Sequence, residues 1–163
     1  MPAFYAHATV NLMITLLPLI AALALPPLSV ADQQTVQDGK TRANEFADCA
    51  GLWDYLAQLE HQAGNPASAE QLSNMGNGAQ TAALWLHANI HAVEGGKAAR
   101  YKAWLPMVAP RREAMKLRLM SAAERGDYDY VNTQGMQCKS LLDVQQQAID
   151  SIRADMVKAQ IGD

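Results

Sequence analysis

Two cysteines, Cys49 and Cys138, constrain this chain more than any other feature. Each stands in the middle of an apolar stripe. Phe46, Cys49, Ala50, Trp53, Leu56 and Ala57 recur at helical spacing within FADCAGLWDYLAQL. Cys138, Leu141, Leu142, Ile149, Ile152 and Met156 do the same near the far end of the chain. Two helices that bury the faces carrying their thiols can be joined there, so the first and last helices are expected to be cross-linked.

Whether the thiols oxidise depends on the compartment. The first 31 residues contain no Asp, Glu, Lys or Arg, and Leu12 to Leu25 is a nearly continuous apolar run. Pro26-Pro27 follows, then Ser29-Val30-Ala31, with small residues at −3 and −1. This pattern predicts a secretory signal peptide over residues 1–31, cut after Ala31, and a single domain over 32–163. It departs from the usual leader in having only the amino terminus and His7 as cationic groups at its start. The rival reading is an uncleaved anchor. A spanning helix takes about 20 apolar residues, and Pro18 with the Pro26-Pro27 pair interrupts this one. No cysteine follows the apolar run to carry a lipid. The expected location is therefore the periplasm or the medium, with no stable membrane insertion after cleavage. In an exported chain, two cysteines read as one disulfide rather than a metal pair.

With a formal charge of −3 and no basic run or basic helix face, the chain gives nucleic acid no footprint. Its 163 residues suffice for one core.

Periodicity predicts four helices and no strand. Helix 1 is expected over Thr41–Gln62, with residues 32–40 either a frayed lead-in or its first turns, and Gly64-Asn65-Pro66 as its stop. Helix 2 runs from Ala67 to Val93, its stripe made by Leu72, Met75, Ala79, Ala82, Leu86, Ile90 and Val93. Gly76 and Gly78 weaken it by roughly 1 kcal/mol each, which close approach of another helix, a kink or plain tolerance would explain. Lys97 to Pro110 is expected to be an irregular crossover strapped across the end of the bundle, since Pro106 and Pro110 break a long helix. Helix 3 then spans Pro110–Arg125, with Met115, Leu119 and Ala122 inward and Arg111, Arg112, Arg118 and Arg125 outward. Helix 4 spans Tyr128–Gln160, with Gln145 to Gln147 largely solvated. The expected fold is all-α: an up-down four-helix bundle with one inter-helix disulfide, Cys49–Cys138.

Counting supports the cross-link. Helix 1 continues 13 residues past Cys49, and helix 4 begins about 10 before Cys138. At about 1.5 Å per residue both thiols sit roughly 15–20 Å from the same end of an up-down bundle. The same register sets Ile149 opposite Asp38.

Candidate chemistry is sparse. His87, His91 and Glu94 stand at i, i+4 and i+7 on one helical face and could share a divalent transition metal. The spacing also arises by chance, and solvated or capping histidines are the plainer account. Covalent haem is excluded by the lack of a Cys-x-x-Cys-His. A non-covalent haem would need His87 or His91 opposite Met107 or Met156. No nucleophile elbow, triad or phosphate-cradling glycine loop is present, and Asp48 and Asp54, six apart, point to different helix faces. No cofactor is expected. Tyr101 and Trp104 in the crossover offer either a partner-binding patch or packing over the bundle end. These features predict a non-enzymatic exported protein that binds an unidentified protein partner or serves as an accessory subunit, with a metal-binding bundle as the alternative.

Overall fold

The computed structural model describes residues 28–97 and 100–161, with side chains as far as residue 155. The expected leader therefore lies almost wholly outside the described residues, as does the side chain of Met156. Among the described residues there are five α-helices, a 3-10 turn and no strand. They are α1 (Val30–Gln62), α2 (Pro66–Val93), α3 (Leu105–Glu124), α4 (Tyr128–Ser140) and α5 (Leu142–Ile161), with the 3-10 turn at Tyr101–Trp104. No described helix is long and apolar enough to cross a membrane.

α1 is longer than its apolar stripe. Residues 30–40 are helical, and the Ser29 hydroxyl accepts the Asp32 backbone N–H while donating to the Asp32 carboxylate at 2.6 Å. That reciprocal cap supports a polar first turn that periodicity alone leaves open. Three helices end alike. Asn65, Gly96 and Asp127 donate their backbone N–H back to the carbonyls of Glu60, His91 and Ala122. The glycine before each last turn residue, Gly64, Gly95 and Gly126, takes φ near +80°. This is the Schellman closure, which needs a left-handed residue.

The crossover corrects the sequence reading. Helix α3 begins at Leu105, not Pro110. Pro106 falls in the first turn, where its missing N–H has no partner to lose. Pro110 sits inside the helix and forgoes a single bond. Val108, assigned to an irregular segment, is thereby buried in the core.

The expected fourth helix is divided at Leu141. The Ser140 hydroxyl donates to the Gln137 carbonyl at 2.7 Å, and the Leu141 N–H reaches back only to Cys138, three residues away. Side-chain competition of this kind loosens a helix locally. The two halves have different partners: α4 lies against α1 and α3, and α5 lies against α2. Ile149 accordingly neighbours Gly78 of α2 rather than Asp38. Gln145, expected in solvent, is buried and donates to the Met75 carbonyl of α2 at 3.3 Å.

The core is built on α1, which packs against α2, α3 and α4. Its contact with α2 is made by small residues: Ala43, Ala47 and Ala50 on one side, Gly76, Ala79 and Ala83 on the other, all buried. The larger side chains Leu72, Met75 and Leu86 of the expected stripe are only partly buried against the core edge. Small side chains win this face because they let two helix backbones approach closely. A Cβ on Gly76 would lie 3.3 Å from the Ala50 carbonyl oxygen.

The α1–α3 seam is closer still. A Cβ on Gly51 would fall 2.2 Å from the Arg112 carbonyl oxygen. Asp48 and Asp54 flank Gly51 at one turn on either side, and both take guanidinium groups from α3, so the two carboxylates border one seam rather than serving different faces as their spacing suggests. Arg111 donates to Asp48 at 2.6 Å, with Arg118 at 3.4 Å. Arg112 makes a bidentate pair with Asp54 at 2.5 Å per bond and a further bond to Gln80 of α2 at 2.7 Å. Arg112 thus ties three helices together instead of pointing to solvent.

Candidate functional site

Cys49 and Cys138 are bonded, with Cα atoms 5.4 Å apart, and there is no free cysteine. Both are buried. Of the thirteen residues of α4, Cys138 alone is buried. Apolar packing holds this helix poorly, and the disulfide supplies the attachment.

The two sites read separately in the sequence, His87–His91–Glu94 and Tyr101–Trp104, lie in one place. The 3-10 turn brings Trp104 onto α2. Its ring stacks on His87 at 6.0 Å between centroids and 20° between planes, and meets His91 at 5.1 Å and 59°. His91 also covers Gly96: a Cβ there would fall 2.2 Å from ring atoms of the imidazole. Glu94 turns aside to Lys40 of α1, 2.7 Å away. Both imidazoles therefore pack aromatic surface, and the carboxylate is engaged by an ammonium. Among the described residues, no three His, Cys, Asp or Glu side chains are placed to hold a metal ion together. His87 is 7 % exposed. Burial, and after it the Lys40 ammonium, pushes its imidazole below the ordinary value of 6.5. The indole N–H of Trp104 is buried and finds no acceptor among the described residues. Tyr101 and Trp104 are both half-buried.

Two recesses escaped the sequence reading. One lies between α5 and the α1–α2 pair, lined by Arg42, Phe46, Trp85, Leu86, Val144 and Ala148, with a volume of about 260 Å³. The other is a cleft of about 490 Å³ between α1 and α4. Its floor is Leu52, Trp53 and Leu56 of α1, and its wall is Val131, Asn132, Gly135, Met136 and Lys139 of α4. Later residues of α1 face earlier residues of α4, so the two helices run antiparallel from the disulfide outward. Further along the same seam, burial first and the nearby Tyr128 second raise the Tyr55 phenol. Neither recess had a signal in the sequence, because each is a gap left by helix placement.

The chain has no match among known proteins: no family model, no curated protein and no solved structure is similar to it.

Proposed function

We propose that this chain is an exported, non-enzymatic helical protein that binds another protein as an accessory subunit. The apolar leader followed by Ser29-Val30-Ala31 supports export to the periplasm or beyond, as does the buried disulfide. We read α4 and α5 as one rod bent at Leu141, which makes the molecule a four-rod up-and-down bundle. The observation that carries the partner-binding reading is the aromatic turn. Tyr101 and Trp104 are half-buried there, Met107 just beyond them is 55 % exposed, and Val93 at the end of α2 is exposed too. Aromatic and methionine side chains at a half-buried edge are what protein interfaces favour.

Photo-crosslinking in the native envelope tests this. A crosslinker at Met107 should trap one defined protein, and a crosslinker at Gln146, on exposed α5 surface, should not. With the crosslinker at Met107, Val93→Glu should abolish the adduct and leave melting unchanged, since Val93 is exposed at the end of α2. Equal labelling from both positions, together with turnover of a small molecule by the purified chain, overturns the reading.

A further inference from the structure

We propose that the cleft between α1 and α4 binds a small apolar carboxylate, its tail along Leu52, Leu56 and Val131 and its head at Lys139 and the indole N–H of Trp53. This site is separate from the aromatic turn and does not rest on the partner-binding reading.

Three observations point to it. The first is size: about 490 Å³ lies within the range of roughly 300–1,000 Å³ typical of small-ligand pockets. The second is an unmet donor. Trp53 forms part of the floor and is 3 % exposed, yet its indole N–H has no acceptor among the described residues. A buried donor without a partner costs about 1–3 kcal/mol; the N–H is covered by protein while the cleft is empty, so an oxygen that reaches it as side chains of the cleft give way gains a bond there. The third is charge. Lys139 stands at the cleft, on the turn that carries the disulfide, and makes no ion pair among the described residues. An uncompensated ammonium and an unaccepted N–H ask for the same thing, an anionic oxygen. Apart from Asn132, the remaining side chains of the lining, Leu52, Leu56, Val131 and Met136, are apolar, which asks for a hydrocarbon body.

Gly135 explains why the space is open. A Cβ built on it meets nothing within 4 Å, so this residue on the α4 wall leaves room that any larger side chain would occupy. Met136 beside it is 67 % exposed and flexible enough to fold over a bound tail. The disulfide pins one end of the wall to the floor, so the cleft keeps its width there.

The test uses decanoate below its micellar concentration, with decanol and decylammonium as matched controls, on the oxidised mature protein. Binding is read by calorimetry and by the indole N–H resonance of Trp53, assigned by its loss in Trp53→Phe. Decanoate should bind and move that resonance, and decanol and decylammonium should bind at least tenfold more weakly. Lys139→Gln should weaken decanoate tenfold or more. Gly135→Leu should abolish binding with melting unchanged or raised, because it fills open space on a helix without strain. The proposal falls if decanoate does not bind. Equal binding of acid and alcohol, an unmoved Trp53 resonance, or full binding by Gly135→Leu overturns it as well.

Discussion

Single glycines in this protein differ in what a methyl group would meet, and the difference decides the sign of a substitution. Exchanging glycine for alanine within a helix gains about 1 kcal/mol of propensity. At Gly51 the new Cβ meets the Arg112 backbone carbonyl at 2.2 Å, which can yield only by parting α1 from α3. Overpacking of that kind costs about 1–3 kcal/mol, and here the ion pairs on both flanks move with it. Gly51→Ala should therefore lower stability by roughly 2 kcal/mol in urea unfolding. At Gly78 the nearest atom is the side-chain amide nitrogen of Gln145, 2.7 Å away, which can yield without moving backbone at the cost of its 3.3 Å bond to the Met75 carbonyl. Gly78→Ala should change stability by less than about 1 kcal/mol. A loss as large at Gly78 as at Gly51 would show that backbone proximity is not what distinguishes them.

His87 gives the molecule a pH dependence of known sign. Its imidazole titrates below 6.5 when folded and near 6.5 when unfolded, so the unfolded chain binds the extra proton in between. The folded state is favoured fully above about pH 6.5 and loses stability as pH falls through that window, levelling off below the folded value. The melting temperature should drop from pH 7.5 to pH 5 by more in the wild type than in His87→Gln. Identical slopes would mean that the ring stacked on Trp104 does not sense the proton.

At the scale of helices, α4 buries a single residue, Cys138, the one that carries its disulfide. Loop closure across the sequence separation of 89 between Cys49 and Cys138 is worth about 4–5 kcal/mol in the chain-entropy account. Cys49→Ser should cost about that much in global stability. It should also act unevenly: amides of α4 should lose protection from hydrogen exchange first, and those of the α1–α2 pair should keep it, because that pair interlocks through alanine and glycine. Uniform loss across all helices would contradict this ranking. The break at Leu141 belongs to the same account. Cys138 fixes α4 to α1, while Gln145 and Ala148 draw α5 inward against α2 and the core, and one straight helix cannot serve both.

At the scale of the whole molecule, the proposed leader and the helical domain make linked demands. Ser29 caps α1, but the expected cleavage after Ala31 removes that cap and leaves Asp32 at the new terminus. The mature protein should have a mass that begins at Asp32, carry no reactive thiol, and show fraying confined to the first turn of α1. Intact-mass analysis with thiol titration on protein from the native host checks the first two points, and a retained leader would refute the cleavage. The rest of the domain should not register the loss, because the first buried residue of α1 is Val36 and the core begins further on.

All-helical class, the cysteine pairing, the stop at Gly64 and the inward face of α3 could be read from spacing alone, because each depends on contacts within a few residues or on a choice with a single alternative. Met115, Leu119 and Ala122 are buried as their periodicity requires. What could not be read was which helices touch. Spacing identifies an apolar face but says nothing of its neighbour. On α2 the periodic stripe holds at Ala79, Ala82 and Ile90, which are buried, while its larger members Leu72, Met75 and Leu86 stay at the core edge and close approach buries Gly76 and Ala83 instead. The sequence reading sent Arg112 to solvent, since the Asp54 that receives it is 58 residues away. His87 and Trp104 were treated as separate features because nothing local announces that a 3-10 turn folds back onto α2. The cleft at Gly135 is the extreme case. It consists of the space between two rods, and only their mutual placement, with the Cys49–Cys138 bond joining them at one end, brings it into being.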